Sequence, residues 1–147
     1  MEEKIHGPDN VATAITLNNL AAIYVGLGEL ARAEAMLRRA LMIWEKNGKA
    51  DGAEVGSIYG NLGLLYFRQK NYPEAENYFR RAVEIEEKAH GPDHPDVAQS
   101  LGNYAAVLRK TDHAKQAKIL ERRASQMRKT HSKKNLMGMT LDIQTPQ

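Results

Sequence analysis

The 147-residue chain contains no cysteine, which excludes a disulfide framework, a thiolate metal site and a cysteine nucleophile, and fits a reducing compartment. Long apolar runs are also missing: no stretch approaches the roughly 20 residues that span a bilayer. Met1-Glu2-Glu3-Lys4 lacks the basic segment followed by an apolar one that a secretory leader needs. The expectation is therefore a cytoplasmic protein without a membrane span. Glycine-rich phosphate loops, nucleophile elbows and paired-carboxylate motifs are absent as well. Catalysis has no candidate residues and no cofactor is called for, so the chain reads as a protein that is not an enzyme.

Charge is unevenly distributed. The formal net charge is +3, yet residues 1–108 carry 11 Lys/Arg against 15 Asp/Glu, whereas residues 109–147 carry 10 against 3. The basicity thus belongs to the last helix and tail. Arg122, Arg123, Arg128, Lys129, Lys133 and Lys134 make a basic run there. No aromatic residue interleaves with it for base stacking, and cations near a helix C-terminus complement the helix dipole, so nucleic acid is disfavoured as a partner.

What the chain does have is a repeat. A shift of 42 residues aligns Asn19-Leu20-Ala21 with Asn61-Leu62-Gly63 and Asn103-Tyr104-Ala105, Ala33 with Ala75 and Ala117, and Ala40 with Ala82 and Ala124. A fixed period of this size means a solenoid. Each period holds two segments with apolar residues at helical spacing, in the first Leu17, Leu20, Ala21 and Tyr24, then Leu30, Ala33, Leu37, Ala40, Leu41 and Trp44. The short turn Leu27-Gly28-Glu29 joins them into an antiparallel hairpin, with Gly28 as the left-handed residue and Asn71 and Asp112 in the equivalent turns. Asp51, three before Glu54, and Asp93, three before Asp96 with Pro95 between, are expected helix caps. Ala33, Ala75 and Ala117 facing Ala21, Gly63 and Ala105 would let the paired helices approach closely.

The pattern resembles the tetratricopeptide repeat. The long period, Leu17-Asn18-Asn19-Leu20-Ala21 and His90-Gly91-Pro92-Asp93-His94-Pro95-Asp96-Val97-Ala98 resemble the kinesin light chain variety, over roughly residues 2–129. The resemblance implies an all-α superhelix of three hairpins, right-handed in its stacking, at about 11–46, 53–88 and 95–129. Residues 1–10 read as the end of a truncated preceding helix and loop, and 131–147 as a disordered tail. Glu2 to Asp9 match Glu86 to Asp93 in seven of eight positions, so the chain starts inside a second helix and the first full helix should expose an apolar face. Glu121 and Arg128, at the places of Leu37/Phe79 and Trp44, give the third repeat the look of a C-terminal cap.

By the same resemblance the first helices line a groove that binds a protein or peptide. Its expected ligand-facing residues are Asn18 and Asn19 in the first repeat, Ser57, Asn61, Leu64 and Arg68 in the second, and Gln99, Asn103, Arg109 and Lys110 in the third. Asn19, Asn61 and Asn103 carry both donor and acceptor and suit the backbone of an extended peptide; the alternative is a structural ladder of Asn side chains tying repeats together. Arg68, Arg109 and Lys110 read either as attractors of an acidic ligand or as ordinary solvated charges. The two-carboxylate clamp of chaperone-binding members is not matched, because Asn18, Ser57, Gly60, Gln99 and Gly102 stand at its positions. His90 and His94 lie in a proline-bounded loop without an evident third ligand, so no metal is expected. Glu86-Glu87 reads as a surface pair. Met137, Met139, Leu141 and Ile143 alternate as an extended edge would, suggesting a tail that fills a groove. The competing reading is a self-associating homo-oligomer joined through the first helix, or a fragment of a longer array.

Overall fold

The computed structural model describes the backbone of residues 9–143 and the side chains of residues 9–138. Within these residues the chain forms six α-helices: α1 (Val11–Leu27), α2 (Leu30–Lys46), α3 (Ala53–Arg68), α4 (Tyr72–His90), α5 (Pro95–Lys110) and α6 (Ala114–Ile143). The first helices of the hairpins start at 11, 53 and 95 and the second at 30, 72 and 114. One 42-residue frame therefore sets every helix start. The hairpins are α1 with α2, α3 with α4 and α5 with α6. Each second helix also packs on the next first helix, and the first helices lie side by side, α1 on α3 and α3 on α5.

The same frame fixes the turns. Gly28, Lys70 and Asp112 take left-handed backbone angles, with φ of 82°, 60° and 61°. After each, the next backbone N–H closes the turn on a carbonyl five residues back: Glu29 to Tyr24, Asn71 to Tyr66 and His113 to Leu108, all at 2.9 Å. The left-handed residue of the second turn is thus Lys70 and not Asn71, which lies one place later at φ −89°. The expected caps shift too. Asp51 and Asp93 each sit one residue early; Gly52 caps α3 without a side-chain bond, and His94 caps α5, its Nδ1 accepting the Asp96 N–H at 3.1 Å. Asn10 caps α1 by accepting the Thr13 N–H at 2.9 Å.

Within each hairpin the helices meet at small side chains. Ala21, Ala33, Ala75, Ala105 and Ala117 are fully buried, and a Cβ on Gly63 would lie 2.6 Å from the Phe79 ring. Phe79 fills the space so left and is itself 1% exposed. Between repeats, Glu34 binds Arg38 on α2 and accepts the Tyr66 hydroxyl of α3 at 2.9 Å, while Arg38 donates to the Tyr66 oxygen at 2.8 Å. The Tyr66 bond, helped by Arg38, holds the Glu34 carboxyl below its usual range.

Helix α1 differs from the others in being apolar on most sides. A helix of that composition ordinarily lies inside a protein, yet Leu20, Ile23 and Leu27 are exposed, Leu27 by 70%. The last helix also departs from expectation. It continues to Ile143 instead of giving way to a disordered tail after Thr130. No proline occurs between Pro95 and Pro146, and Gly138, costing about 1 kcal/mol against alanine, is too weak to stop a helix already propagating. As α6 packs along α5 and touches neither α1 nor α3, the alternation from Met137 to Ile143 does not form an extended edge filling the groove.

Lys70 bears a side chain in a conformation that costs a non-glycine residue about 1 kcal/mol. Lys70→Gly is expected to raise the thermal midpoint by about 4 °C, measured by circular dichroism. An unchanged or lower midpoint would show that the turn is not strained.

Candidate functional site

The side-by-side first helices bring the expected groove residues together in two sets. Across α1 and α3, the Asn61 Nδ2 donates to Asn18 Oδ1 at 2.7 Å, and the Asn18 Nδ2 donates to the Ser57 hydroxyl at 3.1 Å. Asn18 is buried and both ends of its amide are engaged. Asn18, Asn61 and Ser57 thus tie the first two repeats together, with Asn18 taking the place that a ladder of Asn19, Asn61 and Asn103 would give to Asn19. Asn19 is exposed and, with Asn18 and Ser57, borders a small cavity of about 140 Å³ beside Trp44.

The ladder stops at the next step, for a reason written in the 42-residue frame. Asn103 corresponds to Asn61, but the counterpart of Asn18 is Gly60, which has no side chain and open space where a Cβ would be. The Asn103 amide therefore has no hydrogen-bond partner among the described residues. In the room left by Gly60 lies a cavity of about 420 Å³ between α3 and α5, lined by Ser57, Asn61, Leu64, Gln99 and Asn103 together with Glu54, Glu86, His90, Asp96 and Ser100.

Glu86 is the residue of this cavity that sequence reasoning misplaced. It is 7% exposed, not a surface residue, and the Ser100 hydroxyl donates to its Oε2. In the repeat frame it occupies the place of Trp44, the position that covers the next first helix, and this register is the signal that could have identified it. Its side chain crosses from α4 past Gly56, where an added Cβ would lie 2.8 Å from Glu86 Cγ. Burial holds its carboxyl above the usual range, with Asp96 adding to the effect, against the Ser100 bond and His90. Its neighbour Glu87 is half-buried and pairs with Arg123 of α6 at 2.5 Å.

The expected basic end is already engaged. Arg68 Nη1 donates to the carbonyls of Val25 and Gly26 at 2.8 and 3.2 Å, closing the C-terminal turn of α1. Arg109 makes a two-point contact with Glu121 at 2.6 and 2.7 Å, which raises the guanidinium and lowers the carboxyl from their usual values. Lys110 is exposed at the end of α5. None of the three borders the 420 Å³ cavity.

Folding supplies the third donor that the sequence lacked beside His90 and His94, namely Asp96, with the three donor atoms within 4.8 Å of one another. The imidazoles stack face to face, centroids 4.1 Å apart at 17°, and the Nδ1 of His94 is already occupied by the α5 cap.

Because the folded-state pKa of Glu86 is raised, its protonated form favours folding. That contribution is fully present below the unfolded carboxyl value of about 4.3 and is lost as pH rises through the folded value. Glu86→Gln retains an acceptor for Ser100 and removes the charge. Its stability relative to the parent should rise between pH 4.5 and 7.5, read from urea midpoints; a difference independent of pH would contradict the burial argument.

Among curated proteins none matches this chain. The crystal structure of BtubC (BKLC) from P. vanneervenii superposes with a TM-score of 0.77 at 28% identity, covering 86% of this chain and 50% of that one. The chain thus spans half the length of that relative, and the likeness bears out the kinesin light chain-like variety of the repeat. The tetratricopeptide-repeat family model matches residues 1–46 and 54–130. Such repeats are generally scaffolds for protein interaction and not enzymes, and among the described residues no helix is long and apolar enough to cross a membrane. By its periodicity, its three stacked hairpins and that match, the chain belongs to the tetratricopeptide-repeat family.

Proposed function

We propose that the chain is a protein-interaction scaffold that binds an extended peptide segment along its first helices, in the cavity between α3 and α5. The observation that carries this reading is the break in the Asn ladder. Where Gly60 replaces an Asn, Asn103 keeps a donor and an acceptor unspent beside an open cavity. An unpaired amide facing a groove suits a peptide backbone, which offers both complementary groups whatever its sequence. Asn18, Asn61 and Ser57 then act by fixing the helices, Gln99 and Leu64 border the ligand, and Asn19 extends the surface toward the first repeat.

The test is to close the break. Gly60→Asn places an amide where Asn18 stands one repeat earlier, and the space there is open. The variant should remain folded, pair with Asn103 and lose peptide binding by roughly tenfold or more, as should Asn103→Ala. The single tryptophan, Trp44, borders the adjoining cavity and offers an intrinsic fluorescence signal. Peptides that bind Gly60→Asn as well as the parent would contradict the groove reading.

A second reading has its own observation, the exposed apolar face of α1 at Leu20, Ile23 and Leu27. Apolar patches of this kind are uncommon on monomers, and the face suits a second copy of the chain or a further hairpin of a longer array. If copies pair there, light scattering will show a concentration-dependent dimer that Ile23→Glu reduces to a monomer. A parent chain that stays monomeric throughout would remove the self-association reading.

A further inference from the structure

The cavity between α3 and α5 has a chemical character that the groove reading alone does not use. Three carboxylates border it, Glu54 from α3, Glu86 from α4 and Asp96 from α5, and among the described residues no lysine or arginine does. The three come from three different helices, Glu54 and Glu86 from the second hairpin and Asp96 from the third, so their gathering is a product of helix packing and not of a local acidic run. His90 Nε2, also on the lining, lies 3.6 Å from Asp96 Oδ2.

Glu86 gives the cluster a direction. Its side chain is more than nine-tenths buried, threaded past Gly56, with Oε2 taken by Ser100. Oε1 has no hydrogen-bond partner among the described residues, and the residue borders the cavity. That oxygen is not sealed in the interior, so a donor entering the cavity can reach it. Trp44 and Arg128 hold the corresponding places in the other periods, so packing of the frame does not itself require an acid there. The basic residues that would repel a cation are withdrawn: Arg68 on the end of α1, Arg109 on Glu121.

We propose that this cavity is the specificity pocket of the groove and takes the guanidinium of an arginine carried by an extended peptide. The inference rests on the groove reading above and reverses the acidic ligand expected from Arg68, Arg109 and Lys110. Arginine is favoured over lysine because its planar fork can donate to carboxylates on two sides, Glu86 Oε1 at the floor and Glu54 or Asp96 at the rim. Asn103 and Gln99 beside the pocket hold the peptide backbone while the side chain enters.

The experiment is selection of a random nonapeptide library on the intact chain, followed by titration of synthetic peptides. Enriched sequences are expected to share one basic position, arginine above lysine. Changing that arginine to glutamine should weaken binding roughly tenfold, and Glu86→Gln in the protein should do the same. Glu54→Gln, an exposed position outside the core, gives a second reading whose smaller loss is independent of the core. Enriched peptides that are acidic or lack a shared basic residue, yet fail on Gly60→Asn, would overturn the arginine assignment and leave the groove. Peptides indifferent to Gly60→Asn, or no enrichment at all, would overturn both. An affinity unchanged by arginine to glutamine would overturn the assignment directly.

Discussion

Helix pairs in this chain meet at side chains no larger than alanine on at least one side, and the rest of the structure depends on that close approach. Ala21 against Ala33 and Ala105 against Ala117 are fully buried, and Gly63 yields its side-chain space to Phe79. Two helices held this tightly form a hairpin with apolar surface left over on both sides, which the neighbouring hairpin must cover. The second helix then serves two partners. Glu86 shows how closely: on α4, it passes Gly56 of its own hairpin and reaches Ser100 of the next. The apolar face of α1 at Leu20, Ile23 and Leu27 is left exposed by this stacking.

Most of the fold was legible because it is written three times. The 42-residue period places all six helix starts, and a repeated signal survives local irregularity better than any single cap or turn. The misreadings came where a local rule was applied outside that frame. Asn71 is by type a better left-handed residue than lysine, yet register with Gly28 assigns the position to Lys70. Asp51 and Asp93 have the chemistry of caps but lie one residue before the helix starts set by the frame. The extension of α6 follows from helix propagation, for which an exposed polar sequence gives no periodic signal.

Less of the site was legible, since a binding surface is made by departures from the repeat. Asn19, Asn61 and Asn103 share one position of the repeat and differ in use: Asn19 is exposed, Asn61 is spent on Asn18, and Asn103 faces the gap at Gly60. The basic residues were visible as charges, but their engagement with α1 carbonyls and with Glu121 depends on contacts 12 and 43 residues apart in the chain. Glu86 was hidden in the same way, its burial arising from Gly56 of its own hairpin and Ser100 of the next.

The central claim is that the face between α3 and α5 receives the ligand while the face between α1 and α3 is structural. Hydrogen exchange with and without a selected peptide measures this most directly, because it reports every backbone segment at once. The account predicts added protection confined to the segments around 57–64 and 96–103. Protection centred on residues 20–27 of α1 instead, or none along α3 and α5, would contradict it.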